Sequence, residues 1–153
     1  MYATPTTASL TDSITVVPDT IVCLTAITSL ELKCCYLTSI RAEIGNLTSL
    51  TSLRLTNCEH ITSLPAEIGN LTALKTLSLI NCQSLTSLPP EIGKLTALTE
   101  LDLCGCPHIA PLPREIGNLT ALTNLRLDHC HSLVAPLDLI DCQSLNGGSA
   151  YSN

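Results

Sequence analysis

LPAEIGNLTALKTLSLINCQSLTSL, residues 64–88, decides the fold, because the chain repeats it. Leu64, Leu88 and Leu112 stand 24 residues apart, with Ile40 one period earlier. Leu47, Leu71, Leu95 and Leu119 keep the same step, and so do Leu55, Leu79, Leu103 and Leu127. Cys58, Cys82, Cys106 and Cys130 form another such column. A fixed period of this length means stacked structural units rather than one globular core.

Within each unit the core reads L-x-x-L-x-L-x-x-C-x-x-L: LTSLRLTNCEHI from Leu50, LKTLSLINCQSL from Leu74, LTNLRLDHCHSL from Leu122. The x-L-x-L-x segment alternates with period two and predicts a short strand with its leucines inward. The other half, P-x-E-I-G-x-L, must turn the chain back. Pro65 suits a first helical position and Glu67 a first turn at the positive helix end. Gly69 limits that helix to one or two turns. One unit cannot cover its own leucine row; only neighbours above and below can. The expected architecture is an α/β repeat solenoid, with a parallel concave sheet and short helical or irregular convex segments.

The core pattern resembles the leucine-rich repeat family over nearly the whole chain, from Val17 to Leu133. Cysteine at the position where many members carry asparagine, followed by L-P-x-E-I-G-x-L-x-x-L, is most similar to repeats of plant intracellular resistance receptors. The resemblance implies a horseshoe arc whose concave face is the usual partner surface.

Composition narrows the function. The 153 residues include no Trp, no Phe and three Tyr, so leucine, isoleucine and valine must fill the interior. That suits identical layers and suits an enzyme pocket poorly, since pockets are usually lined with aromatics. The net charge of −6, with seven scattered Lys and Arg, argues against nucleic-acid backbones and anionic membranes. No apolar run reaches membrane-spanning length. MYATPTTASLTDS has neither the basic start nor the apolar run of a secretory signal.

Nine cysteines suggest a disulfide framework until they are placed. Cys58, Cys82, Cys106 and Cys130 share one repeat position, and Cys35 fits it in a unit one residue short. Stacking puts them in an inward column, where a thiol is a small buried group and a weak donor to carbonyls. The odd count and the absence of paired-Cys caps favour reduced thiols and a cytosolic setting.

The ends depart from the pattern. Residues 1–13 are polar and read as a flexible segment, residues 14–145 as the repeat domain of five to six units, and residues 146–153 as a disordered tail. VAPLDLIDCQSLNGG, after Leu133, fits either a convex half or a fresh strand core. The residues match the strand better. The crossover length needed by a parallel strand favours the convex half.

Residues pointing outward from the strands vary while the frame repeats, so binding information must sit there. The candidates are Glu31, Arg54, Ser78, Glu100, Asp102, Asn124, Arg126, Asp128 and His129. Glu100, Asp102, Arg126, Asp128 and His129 are the densest polar patch. It is either a site for a partner bearing Lys or Arg, or a solvated face whose charges pair across strands, as Glu31 and Arg54 are also placed to do.

Cys104, Cys106 and His108, beside His129, Cys130 and His131, tempt a zinc reading. However, Cys106 and Cys130 belong to the inward frame and the spacing matches no finger, so no metal and no cofactor is expected. Asp128, His129 and Cys130 are consecutive and point different ways, so they make no catalytic set, and no enzyme is expected. Asn46, Asn70 and Asn118 each open Asn-Leu-Thr, a glycan acceptor pattern that the repeat consensus itself accounts for. The sequence thus predicts a protein-binding module of cytosolic setting. Two alternatives stand: a solenoid that self-associates through uncapped ends, and a glycosylated extracellular receptor fragment.

Overall fold

The structure is a computed structural model that describes residues 6–11, 14–33 and 36–133. Among these residues six strands pair in chain order into one open, all-parallel sheet: β1 (Thr7–Thr11), β2 (Ser29–Lys33), β3 (Ser52–Thr56), β4 (Thr76–Ile80), β5 (Glu100–Asp102) and β6 (Asn124–Arg126). The register is that of the repeat. Leu30, Leu53, Leu77, Leu101 and Leu125 lie side by side. Leu32 pairs with Leu55, and Leu55 with Leu79. All of these leucines are buried, together with Leu103 and Leu127 just beyond the short last strands. The aliphatic pile expected from the 24-residue columns is the core of the molecule.

The amino-terminal segment differs from expectation. Thr7–Thr11 is a strand paired with β2, with Ala8 opposite Leu30 and Leu10 opposite Leu32. A polar composition suggested fraying. What the sheet requires is only two inward side chains, and Ala8 and Leu10 supply them, half-buried against the core. The alanine hid the period. The alternative readings of residues 134–146, and the placement of Cys35, lie outside the described residues.

Each return segment packs its Ile and Leu inward and is shorter than an α-helix. Four 3-10 helices, η1 (Ala42–Asn46), η2 (Ala66–Asn70), η3 (Pro90–Lys94) and η4 (Arg114–Asn118), stack along the convex side. A four-residue α-helix, α1 (Asp19–Val22), takes their place in the first unit. Pro65 caps η2 from outside rather than opening it, at φ −70° and ψ 152°; in η3 the second proline, Pro90, occupies the helical start. Glycine here serves more than helix length. A Cβ built on Gly69 would lie 2.7 Å from the Glu91 carbonyl oxygen of the next layer. The glycine lets consecutive backbones touch.

Two further columns tie the layers. The thiols of Cys106 and Cys130 donate to the carbonyls of Leu79 (3.0 Å) and Leu103 (3.1 Å), in the layer before. Cys58 and Cys82 are likewise buried, and the Cys58 thiol donates to the Leu32 carbonyl at 3.6 Å. Burial raises the Cys130 thiol to about 11, and Cys82 is held above its ordinary range by its hydrogen bond with Cys106 and by burial.

The other column is threonine. The hydroxyls of Thr28, Thr51, Thr99 and Thr123 donate to the carbonyls of Thr6, Thr28, Lys75 and Thr99, each one layer earlier. Lys75 interrupts this ladder, although its own backbone N–H still bonds the Thr51 carbonyl at 2.8 Å. Lys75→Thr should add the missing rung and stabilise by about 0.5–1.5 kcal/mol. A urea midpoint that does not rise would show that the hydroxyls follow the fold without supporting it.

Candidate interaction face

Strand alternation sends every second side chain to the free face of the sheet. Register then aligns those side chains into a row: Ser9, Glu31, Arg54, Ser78, Asp102 and Arg126. Six layers place one side chain each, with strands about 4.8 Å apart. A parallel row holds Ser29, Ser52, Thr76, Glu100 and Asn124. Seven of the nine candidates therefore share one surface.

Asp128 and His129 do not lie on a strand. β6 ends at Arg126, and both residues sit in the turn that follows. Asp128 still reaches the row through its side chain. His129 adopts φ 62°, and the residues at the same repeat position, Asn57, Asn81 and Gly105, have φ 56°, 56° and 74°. This is a left-handed turn, repeated before each frame cysteine, that Asn, Gly and His tolerate better than most residues. His129 is exposed there beside His131, at 6.1 Å between ring centroids. The Asn-Cys, Asn-Cys, Gly-Cys, His-Cys series was visible in the sequence and marks a turn rather than a binding position.

Burial divides the row. Ser78 is 4% exposed and Asp102 3%, whereas Arg54 and Arg126 are open to solvent. A carboxylate at that depth needs hydrogen-bonding partners, and Asp102 has them. One of its carboxylate oxygens accepts from Arg126 Nη1 at 3.1 Å, and the other accepts the Cys104 backbone N–H at 3.0 Å. Asp128 accepts the Cys104 thiol at 3.2 Å, and Arg126 Nη2 lies 3.6 Å from the same Asp128 oxygen. The four residues close a ring. The Arg126 guanidinium is held charged, its pKa raised by Asp102 first. This geometry belongs to charges that pair across neighbouring strands.

Glu31 pairs along its own strand with Lys33, at 3.1 Å. The cross-strand pair with Arg54 expected from the register is not formed: among the described residues Arg54 makes no ion pair or side-chain hydrogen bond.

Cys104 sits half-exposed in this ring, yet its thiol is pushed up to about 12, by partial burial first and then by its bonds to Asp102 and Asp128. At pH 9 roughly one such thiol in a thousand is ionised. Iodoacetamide should therefore label the exposed Cys23 far faster than Cys104 at that pH, as read by peptide mass mapping. Equal labelling rates would mean that the ring does not form in solution. The raised thiols also set a stability slope. A folded value above the unfolded one contributes stability that is present below the unfolded pKa and lost as pH climbs through the window from 9.0 to about 11 for Cys130 and about 12 for Cys104.

The zinc reading separates in space. Cys106 and Cys130 are buried and bond backbone carbonyls, while Cys104 bonds Asp128. On the convex side, Asn46, Asn70 and Asn118 each close a 3-10 helix and are exposed.

The residues from 11 to 142 match the family described as leucine-rich repeat region. The chain belongs to the leucine-rich repeat family. Among solved structures, it is similar to a leucine-rich repeat protein of Leptospira interrogans, with 33% identity over 90% of this chain and 35% of that one, and a TM-score of 0.81. It is also similar to the leucine-rich repeat domain of the type III effector XopL, with 32% identity over 74% of this chain and 38% of that one, and a TM-score of 0.68. A TDR receptor shares the fold at 24% identity, over 72% of this chain and 21% of that one, with a TM-score of 0.53. This leucine-rich repeat chain spans about a third of the length of the first two structures. A search of curated proteins finds no match to it. The leucine-rich repeat fold is in general a protein-interaction scaffold, which agrees with an open sheet whose free face carries the variable residues.

Proposed function

We propose that this leucine-rich repeat chain is a non-enzymatic module that binds a protein partner through the free face of its sheet, in a recognition or signalling role. The row from Ser9 to Arg126 carries the reading. Its members differ from layer to layer, while the leucines and cysteines behind them repeat. A surface kept constant by packing on one side and free to vary on the other is suited to recognition. Buried thiols that donate to carbonyls fit a reducing cytosolic setting.

The test uses exposed positions, because charge reversal at the buried Asp102 would unfold the layer. Arg54→Glu with Asn124→Arg should abolish retention of the partner from source cells while leaving the melting temperature unchanged. Arg114→Glu, on the convex side, should not affect retention. If the convex variant loses the partner and the double variant keeps it, the face is misassigned.

A second reading rests on the terminal layer. Among the described residues β1 is an edge strand whose Ala8 and Leu10 are only half-buried, and Val16 is 53% exposed. Such an end can stack on a second copy. Light scattering that shows a monomer at high concentration would remove this reading. Glycans on the Asn-Leu-Thr sites would favour an extracellular setting, and one intact mass from a eukaryotic host decides it.

A further inference from the structure

The charges on the free face are not equally engaged. Asp102, Arg126 and Asp128 saturate one another around Cys104, and Glu31 is held by Lys33. Arg54 is different. It is exposed in the middle of the row, and among the described residues it has no ion pair and no side-chain hydrogen bond. Its five donors point from a rigid sheet into solvent. On β3 and β4 the register surrounds it with Ser52, Thr56, Thr76 and Ser78, hydroxyl side chains that add donors without adding charge, while Glu31 stands opposite it on β2, turned to Lys33. Glu100, two strands on, also lacks an ion partner among the described residues, and its like charge keeps an acidic chain away from the β5 end. Across β2 to β4 the face therefore carries two cations and one carboxylate, in a chain whose net charge is −6.

We infer that Arg54 and its surrounding hydroxyls form the anchor point for an acidic segment of the protein partner, with an Asp or Glu carboxylate seated on the Arg54 guanidinium. This rests on the free face being the binding surface, as proposed above. It reverses the charge that the dense acidic patch suggested, because Asp102 and Asp128 there already share the Arg126 guanidinium. A guanidinium takes a carboxylate through two parallel hydrogen bonds, which fixes position as well as sign. Bringing such a pair together on a partly desolvated sheet face makes it stronger than in open water. Lysine at the same place would keep the charge and lose the fork.

The experiment selects a phage-displayed random dodecapeptide library on the full chain. Selected peptides should share an Asp or Glu, bind Arg54→Gln roughly tenfold or more weakly, bind Arg54→Lys with an intermediate loss, and bind Arg114→Gln as they bind the wild type. Raising the salt concentration should weaken them in the wild type and have less effect in Arg54→Gln. Ser52→Trp, which crowds the same face without removing a charge, separates the two claims. Peptides blocked by Ser52→Trp but indifferent to Arg54→Gln overturn the carboxylate anchor and leave the face standing. Peptides indifferent to both overturn both claims. Failure to enrich any acidic peptide overturns the anchor.

Discussion

Gly93→Ala should destabilise the protein by roughly 1–3 kcal/mol, although the same change in an exposed helix interior ordinarily stabilises by about 1 kcal/mol. The sign inverts because of the neighbouring layer. A Cβ on Gly93 would lie 2.6 Å from the Glu115 carbonyl oxygen and 2.8 Å from its Cβ. Neither atom is the end of a flexible side chain, so relief requires one layer to move away from the next. The same close approach recurs at Gly45 and Gly69, against Glu67 and Glu91. Moving a layer would lengthen the rungs on either side, including the thiol and threonine bonds that cross it. Urea unfolding of Gly93→Ala against the wild type measures the loss. Gly93→Ala at or above wild-type stability would mean that the layers are held less tightly than the convex contacts show.

This result bears on what the sequence could reveal. Columns at 24-residue spacing announce stacking directly, because a leucine that recurs in register has one plausible fate. Burial of the frame and the inward cysteine column followed from that alone. Gly69 was legible as a landmark but not in its role, since close backbone approach depends on the neighbour's position and leaves no local mark. Thr7–Thr11 was hidden for a related reason. A strand at the end of a solenoid needs only two inward side chains, and one of these is Ala8, which carries no periodic signal.

The candidate face was readable to the level of which residues point outward, and not beyond. Period two places Ser78 and Asp102 on that face, yet both are nearly buried there, Ser78 between Arg54 and Asp102 and Asp102 beside Arg126. Whether Arg126 reaches Asp102 or solvent, and whether Glu31 turns to Lys33 or Arg54, is decided by rotamers a few ångströms apart. Such choices are local and nearly equal in energy, so spacing cannot rank them. His129 lies off the face because its repeat position, shared with Asn57, Asn81 and Gly105, is a left-handed turn that breaks the alternation.

Leu101→Ala should have the largest effect of any single truncation, about 2–5 kcal/mol, and should sit toward the upper end. The side chain is fully buried, between Leu77 and Leu125 of the same column. Cavity cost depends on how far the surroundings collapse, and here they can collapse little. The flanking leucines belong to layers whose spacing is fixed by hydrogen bonds in the sheet and by glycine contacts on the convex side. The chain has no phenylalanine, and its single methionine is at position 1, so no adaptable large side chain can swing into the space. Leu10→Ala, at the sheet edge and half-buried, removes the same atoms with solvent on one side and should cost much less. The contrast tests the stacking itself. In a solenoid each layer is covered only by its neighbours, so a void in the middle separates two half-stacks, while a void at the end frays one. Leu101→Ala should therefore broaden the urea transition as well as lower its midpoint, and Leu10→Ala should leave the main transition sharp. Equal losses at the two positions would mean that stability does not reside in the pile of leucines, and the rigid face built on it would lose its support.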